Sequence, residues 1–379
     1  MTRLRDVQMH AIVYGADANG GPGTPKMELD PDVLNLVWQQ SFNAPGRAAF
    51  TLARFNPKLA LIEWMVDHIQ IIREDDRGSK VVFSGKLVKP SYASGDCIVY
   101  CWDYMAFLQR SRTGFRTEYF TKKLGSEIVA PEWALAKGVS NSPFAFVATG
   151  TIQDPLALDG TTVITTNDEF GVVDFTRLFT FNAIAEMAMA NTANTVKFEI
   201  TREAPFTFNF WKNYGGDKTK YAFSHPGNLM DYAYDVGYDQ YRNDIATVVK
   251  NVDDEDEEYV VTATDVATTT FRRLQDAMTI RTLLGATGAT ESDQGKAIAA
   301  RMLKEAQRTP RLVLLSPRQN EIAPFDGWDL GDNMRTVIQK ADRSGDELDA
   351  YLKIVSVGAA WTPQHGELLQ MYGRSQEAA

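Results

Sequence analysis

Apolar and polar side chains alternate along two long stretches of this chain, and a period of two predicts strands. In the first stretch Val7, Met9, Ala11 and Val13 alternate with Gln8 and His10. Gly15 to Pro25 is rich in Gly and Pro and reads as an outward-reaching loop. Leu34, Leu36 and Trp38 resume the alternation, and Asn43-Ala-Pro-Gly turns the chain into Ala49–Leu52. Asp67-His-Ile-Gln-Ile-Ile-Arg and Val81-Val-Phe-Ser-Gly-Lys-Leu-Val flank Asp75-Asp-Arg-Gly-Ser, which has the chemistry of a hairpin tip. Ala93-Ser-Gly-Asp then turns into Ile98-Val-Tyr-Cys-Trp. Short strands at this density predict a barrel or sandwich.

The middle of the chain loses the period of two. Leu124 to Lys137 predicts a helix interrupted by Pro131, and Phe181, Ile184, Ala185 and Ala188 form a helical stripe that ends near Asn191. Strands resume at Val196-Lys-Phe-Glu-Ile and at the alternating Phe206, Phe208 and Phe210. Asp244–Val249 and Tyr259–Thr264 predict a hairpin around the acidic run Asp253, Asp254, Glu255, Asp256, Glu257 and Glu258. Ile298, Met302, Leu303 and Ala306 predict an amphipathic helix stopped at Thr309-Pro310. Further strands are predicted at Arg311-Leu-Val-Leu-Leu, Arg335-Thr-Val-Ile and Leu352-Lys-Ile-Val-Ser-Val, with a final turn at Pro363-Gln-His-Gly-Glu.

The expected fold class is α+β, mainly β, with two antiparallel β-barrel or sandwich modules. Residues 1–110 form the first module, 111–200 a mixed α/β domain, and 201–265 with 310–375 the second module. Residues 266–309 are expected as a helical insertion. At 379 residues the chain is too long for one ordinary core.

Composition removes several functions. With 39 Lys and Arg against 49 Asp and Glu, the net charge of −10 does not suit a nucleic-acid grip, though it suits a surface past which DNA slides. No run approaches the roughly 20 apolar residues of a membrane span, so no stable membrane insertion is expected. The start of the chain has charge but no apolar core region, and synthesis in a cytoplasm is expected. Cys97 and Cys101 share a strand face about 13 Å apart, too far for a disulfide, and read as buried free thiols.

Candidate chemistry is sparse. His10, His68, His225 and His365 have no local metal spacing, and neither a zinc-protease nor a nucleophile-elbow motif occurs. The glycines from Gly285 to Gly295 fail as a phosphate loop. Six residues separate Gly288 from Gly295, and Ala297 follows Lys296 where Ser or Thr would hold magnesium. The tryptophans sit mostly in alternating segments and read as core. The acidic run Asp253–Glu258 reads first as a solvated tip, because like charges repel. A lumen- or partner-facing loop and a cation site remain alternatives, the latter weakened by the lack of a Gly within the run. No cofactor, metal or catalytic residue is expected.

Several segments carry a resemblance. Ile69-Gln-Ile-Ile-Arg, then Val82-Phe-Ser-Gly-Lys-Leu-Val, then Cys101-Trp-Asp-Tyr-Met-Ala-Phe-Leu with Arg110 and Arg112, resemble the amino-terminal domain of bacteriophage tail-tip and baseplate hub proteins. In that family a strand carrying an Arg precedes a Phe-x-Gly strand, and a third strand ends in Asp-Tyr followed by Leu and Arg. Phe181-Asn-Ala-Ile-Ala-Glu-Met-Ala is similar to the family's helix before its second module. Trp328-Asp-Leu-Gly-Asp, followed by Tyr351-Leu-Lys-Ile-Val, is similar to its Leu-Gly-Asp turn.

The resemblance implies two tail-tube-like β-domains per chain and a homotrimer, whose six domains would match the distal tail protein hexamer. Such a ring would join the tail tube to distal tip or receptor-binding proteins. It would surround the channel for the tape-measure protein and for genomic DNA, which would meet the chain only in transit. The implied location is the virion tail tip, after assembly in the host cytoplasm, and the implied role is structural. Two alternatives are a distal tail protein, which is a hexameric adaptor, and a cell-wall carbohydrate-binding or -degrading tail protein.

Overall fold

A computed structural model shows how the predicted strands pair. It describes residues 7–111, 119–120, 125–154, 173–174, 180–189, 196–211, 214–236, 244–251, 258–264, 275–282, 300, 303, 311–317, 327–340 and 346–375. The chain is mainly β with a smaller α/β part, as the alternation predicts.

The first stretch supplies β1 (Gln8–Ala16), β2 (Pro22–Glu28), β3 (Asn35–Ser41), β4 (Ala44–Ala53), β5 (His68–Asp75), β6 (Gly78–Tyr92) and β7 (Asp96–Asp103). They pair antiparallel in the order β2-β1-β5-β6-β7-β4-β3. The predicted tip at Asp75–Ser79 joins β5 to β6, with Gly78 opposite Asp75 at φ 133°, a backbone angle that glycine alone adopts without strain. Alternate residues face inward: Leu36 and Trp38 on β3, and Cys97, Val99 and Cys101 on β7, are all buried. Burying a side chain such as Leu36 or Val99 stabilises the fold by about 1.5–3 kcal/mol. A slip of one residue would turn the whole set to water, so burial sets the register.

The middle contains α1 (Met105–Leu108), β8 (Tyr119–Phe120), α2 (Gly125–Gly138), β9 (Ala148–Ile152), β10 (Val173–Asp174), α3 (Thr180–Met189), β11 (Lys197–Ile200) and β12 (Thr207–Trp211). Strands β11, β12 and β9 form a three-stranded sheet under a second apolar cluster. Trp133 stacks on Phe208 with ring centroids 4.3 Å apart. Pro131 lies inside α2 and is exposed, while Ile128, Val129 and Trp133 around it are buried. Packing of those neighbours carries the helix past a residue that removes one of its hydrogen bonds.

The remaining strands are β13 (Asp217–His225), β14 (Leu229–Val236), β15 (Asp244–Asn251), β16 (Glu258–Thr264), β17 (Gln275–Thr282), β18 (Arg311–Pro317), β19 (Asn333–Gln339), β20 (Asp346–Thr362) and β21 (Gly366–Ser375). Strand β17 corrects part of the expected helical insertion at 266–309, for it pairs parallel with β15. Met278 and Ile280 alternate with Thr279 and Arg281, a period of two. Ala300 and Leu303 are helical, and the rest of that amphipathic segment lies outside the described residues.

Strand β20 joins the two β-stretches. Its residues 346–353 pair with β19, 352–362 with β21, and 356–361 with β3. The result is a 13-stranded sheet running from β2 to β14, with β19 and β13 branching from β20. Residues as distant as Val7 and Met371 share one apolar core.

Gly85 marks a tight crossing, since a Cβ there would collide with the Trp102 carbonyl on β7. Gly85→Ala is expected to cost about 1–3 kcal/mol in denaturant unfolding, the usual penalty of overpacking. Gly95→Ala, at a site with no atom within 4 Å of the added carbon, is expected to stay within about 0.5 kcal/mol of the parent.

Candidate functional site: a buried architectural junction

Ionisable side chains placed in phase with core residues are the unusual chemistry of this chain. Arg73 follows Ile69 and Ile71 on the inner face of β5 and is 4% exposed. Glu367 precedes Leu369 and Met371 in the same phase on β21 and is 2% exposed. The Arg73 guanidinium donates from Nε at 2.9 and 3.0 Å and from Nη2 at 2.9 Å to the Glu367 carboxylate. Its Nη1 donates to Asp75 at 2.7 Å. Burial opposes the guanidinium charge, and the Glu367 carboxylate outweighs it, holding the Arg73 pKa above its ordinary value. Burial also opposes the Asp75 charge, but hydrogen bonds from Arg77 and Arg73 hold that carboxyl well below the usual range. Nearby, Trp361 Nε1 donates to the Val7 carbonyl at 3.2 Å. The last hairpin, β20–β21, is thereby tied to β1 and β5.

A second tie lies at the end of β7. The buried Asp103 carboxylate accepts from the Gly46 backbone N–H in β4 and from the Ala106 N–H at 2.9 Å in α1. Burial pushes its pKa up to about 7, against the pull of those donors. Beside it, His68 lies within 3.1 Å of the Gly20 carbonyl and 2.9 Å of the Tyr104 hydroxyl. A carbonyl only accepts, so Nε2 carries the proton and Nδ1 accepts from Tyr104. That assignment fits a neutral imidazole, whose pKa burial lowers to about 4.

A third tie holds the middle sheet. Lys197 on β11 is 2% exposed and donates to Asp329 at 2.8 Å, and it also meets Glu199 at 3.0 Å. Its ammonium lies 4.1 Å from the Tyr214 ring centroid. Burial opposes both charges of the Lys197–Asp329 pair, and their mutual attraction keeps each ionised. Asp329 is held in its turn by Asp332, which accepts from the Asp329 N–H at 2.8 Å. Gly331 adopts φ 95° there and donates to the Ile354 carbonyl of β20 at 2.8 Å. Asn43, between β3 and β4, donates to the Val196 carbonyl at 2.8 Å and accepts from the Phe198 N–H at 2.9 Å.

With this geometry in view, the likenesses to known proteins become informative. No family model and no curated protein matches the sequence. The tail protein from Neisseria meningitidis MC58 aligns over 98% of this chain and 98% of its own, with a TM-score of 0.60 at 10% identity. The 43 kDa tail protein of prophage MuSo2 from Shewanella oneidensis aligns over 96% of this chain and 98% of its own, with a TM-score of 0.60 at 11% identity. A chain of the half-lidded PdpA-VgrG complex of Francisella aligns over 99% of this chain and 59% of its own, with a TM-score of 0.53 at 9% identity. The chain has a phage-tail-type fold.

In this tail fold several of the residues that carried the sequence resemblance have architectural work. Arg73 holds the last hairpin, Gly85 admits β7, Asp103 and Tyr104 hold the turn into α1, and Asp329 to Asp332 seat the middle sheet. The acidic run is not among them. Asp253 to Glu257 lie outside the described residues, and Glu258 begins β16 opposite Lys250. The histidines have separate partners: His10 meets Asp30 and Glu74, His225 packs on Tyr232, and His365 is exposed in a turn. Cys97 and Cys101 are free and buried on one strand face, as expected. No tryptophan is exposed; Trp38, Trp133 and Trp328 are buried and the others half-buried. Among the described residues no group of three or more His, Cys, Asp or Glu is placed to hold a metal ion. No helix there is long and apolar enough to cross a membrane.

Glu367 and Lys197 escaped the sequence reading as junction residues. Their signal was a charge in phase with apolar neighbours, visible for Arg73 and Glu367 once the strand period is assigned.

Arg73→Met leaves Glu367 buried without its main partner, and urea unfolding is expected to show a loss of about 3–5 kcal/mol. Adding Glu367→Leu is expected to recover most of it, because the paired apolar replacement removes the stranded charge. Asp103 sets a pH dependence of known sign. Its folded pKa lies above the unfolded one, so its stability contribution is full below about pH 4 and is lost as pH rises through about 7. The stability gap between the parent and Asp103→Asn is therefore expected to shrink from pH 4 to 7. A gap that widens would show the backbone donors outweighing burial.

Proposed function

We propose that this chain is a structural, non-enzymatic virion protein that acts as a tail-tip or baseplate hub. Three copies would form a ring that meets the distal tail protein hexamer above and distal tip or receptor-binding proteins below. The tape-measure protein and then genomic DNA would pass through its channel. The observation that carries the reading is end-to-end alignment with a tail protein, 98% of each chain, rather than with a fragment of one. The junction chemistry supports it, since its ion pairs tie strands to one another. A hub must transmit load between the parts it joins. A sheet continuous through both β-stretches, clamped by buried ion pairs, suits that mechanical role.

Native mass spectrometry with negative-stain imaging tests the reading, on the purified chain alone and mixed with its candidate distal tail partner. The expected result is a species of three times the 42.3 kDa chain mass, with a threefold ring and a central channel. A hexamer would favour the distal tail adaptor. A monomer in both samples, together with binding or cleavage of cell-wall glycan, would favour the carbohydrate-directed tail protein.

A further inference from the structure

Both ring nitrogens of His10 meet carboxylates: Nδ1 lies 2.5 Å from Asp30 and Nε2 lies 3.0 Å from Glu74. A neutral imidazole carries one N–H, and a carboxylate only accepts, so the imidazolium alone satisfies both contacts. The three side chains come from three parts of the first module. His10 is on the outward phase of β1, between the buried Met9 and Ala11. Glu74 is on β5, in register opposite Gln8. Asp30 opens the short helical turn Asp30–Asp32 that follows β2. Its second oxygen accepts from the Ala11 N–H at 2.6 Å, and the Leu29 N–H donates to the Ala11 carbonyl at 2.9 Å. Leu29 and Asp30 therefore continue the edge of β1 beyond its last pair with β2, Ile12 with Glu28.

The other charges on the elements packed against β1 are directed elsewhere. Asp32 pairs with Lys58 at 2.6 Å, and Lys26 of β2 pairs with Glu63 and Asp67. Glu28 of β2 is exposed opposite Ile12. Arg73 and Asp75 flank Glu74 on β5 but belong to the inward tie with Glu367. Asp30 and Glu74 are thus the charges that set the state of His10. Burial opposes the imidazolium, but the hydrogen bond and charge of Asp30, and then those of Glu74, outweigh it. They hold the His10 pKa above its ordinary value of about 6.5.

We propose that His10 is a pH-operated clasp, which when protonated closes β1, β5 and the turn Asp30–Asp32 together, and on losing its proton frees Glu74 and loosens that turn. Without the second proton one ring nitrogen turns a lone pair toward a carboxylate, and the contact must open. Glu74 gives way first, because its side chain is 55% exposed against 26% for Asp30. The remaining bond to Asp30 then loses its charge assistance, which is worth roughly half of its strength. The sign is fixed by the raised pKa: the clasp contributes fully below about pH 6.5 and is lost as pH rises through the folded value. Its place gives it reach. Val7, three residues before His10, holds Trp361 of the last hairpin through its carbonyl.

Hydrogen–deuterium exchange of the full chain at about pH 6 and about pH 9, corrected for the intrinsic exchange rate, tests the clasp. Protection of the amides from Leu29 to Val33 is expected to fall about tenfold between the two in the parent. His10→Gln is expected to show the lower protection at both, and His10→Arg, a cation throughout, the higher protection at both. Asp103 and Lys353 also titrate within or near this window. They do so in parent and variants alike, so the comparison isolates His10. A nuclear magnetic resonance titration of the parent, which needs no variant to fold, is expected to place His10 above about 6.5. In Glu74→Gln its pKa is expected to move down toward that value. An equal fall in protection in the parent and His10→Gln would overturn the clasp. So would protection in the parent that ignores pH, or a His10 that titrates at or below about 6.5.

Discussion

Strand β20 is the constraint on which the rest of this structure depends. Its 17 residues hydrogen-bond to β19, β21 and β3 in succession, so one extended segment must satisfy three partners from distant parts of the sequence. Buried backbone groups without partners are costly. The register of β20 against β3 therefore fixes the register of both β-stretches together. The inward set Leu352, Ile354, Val357 and Ala359 then completes a core that already contains Leu36 and Trp38.

Apolar burial alone would leave that arrangement underspecified, because strands rich in Val, Leu and Ile pack acceptably in many pairings. The buried ions discriminate. Arg73 is tolerable inside only where Glu367 and Asp75 can reach it, and Lys197 only where Asp329 and Glu199 can. Charges so far from water cost several kcal/mol each when unpaired. Alternative hairpin placements that separate these partners are penalised more than any single apolar contact rewards them. The ties stand at seams: last hairpin to first strands, and middle sheet to the turn before β19.

Much of the local structure was legible in the chain. The Asp75–Ser79 tip, the strand faces of Cys97 and Cys101, the helices near 124–137 and 181–188, and the paired strands around the acidic run all follow from period and turn chemistry. Pro131 and residues 275–282 did not. Each was read from local propensity, and each was decided by neighbours distant in sequence. The junction was half legible. Arg73, Gly85 and Asp103 stood in recognisable segments, but nothing local identified Glu367, 294 residues from Arg73, as the partner.

By itself the sequence determined where many of the strands lie, which face of each is apolar, and where the Asp75–Ser79 hairpin closes, because these depend on spacings of two to four residues and on glycine's backbone freedom. Only the tertiary structure decided which strands share a sheet, that β20 serves both stretches, and which buried cation meets which carboxylate. Those outcomes depend on contacts between residues hundreds of positions apart. Their free energy exists only once the chain has closed those loops, so no local pattern could have encoded them legibly.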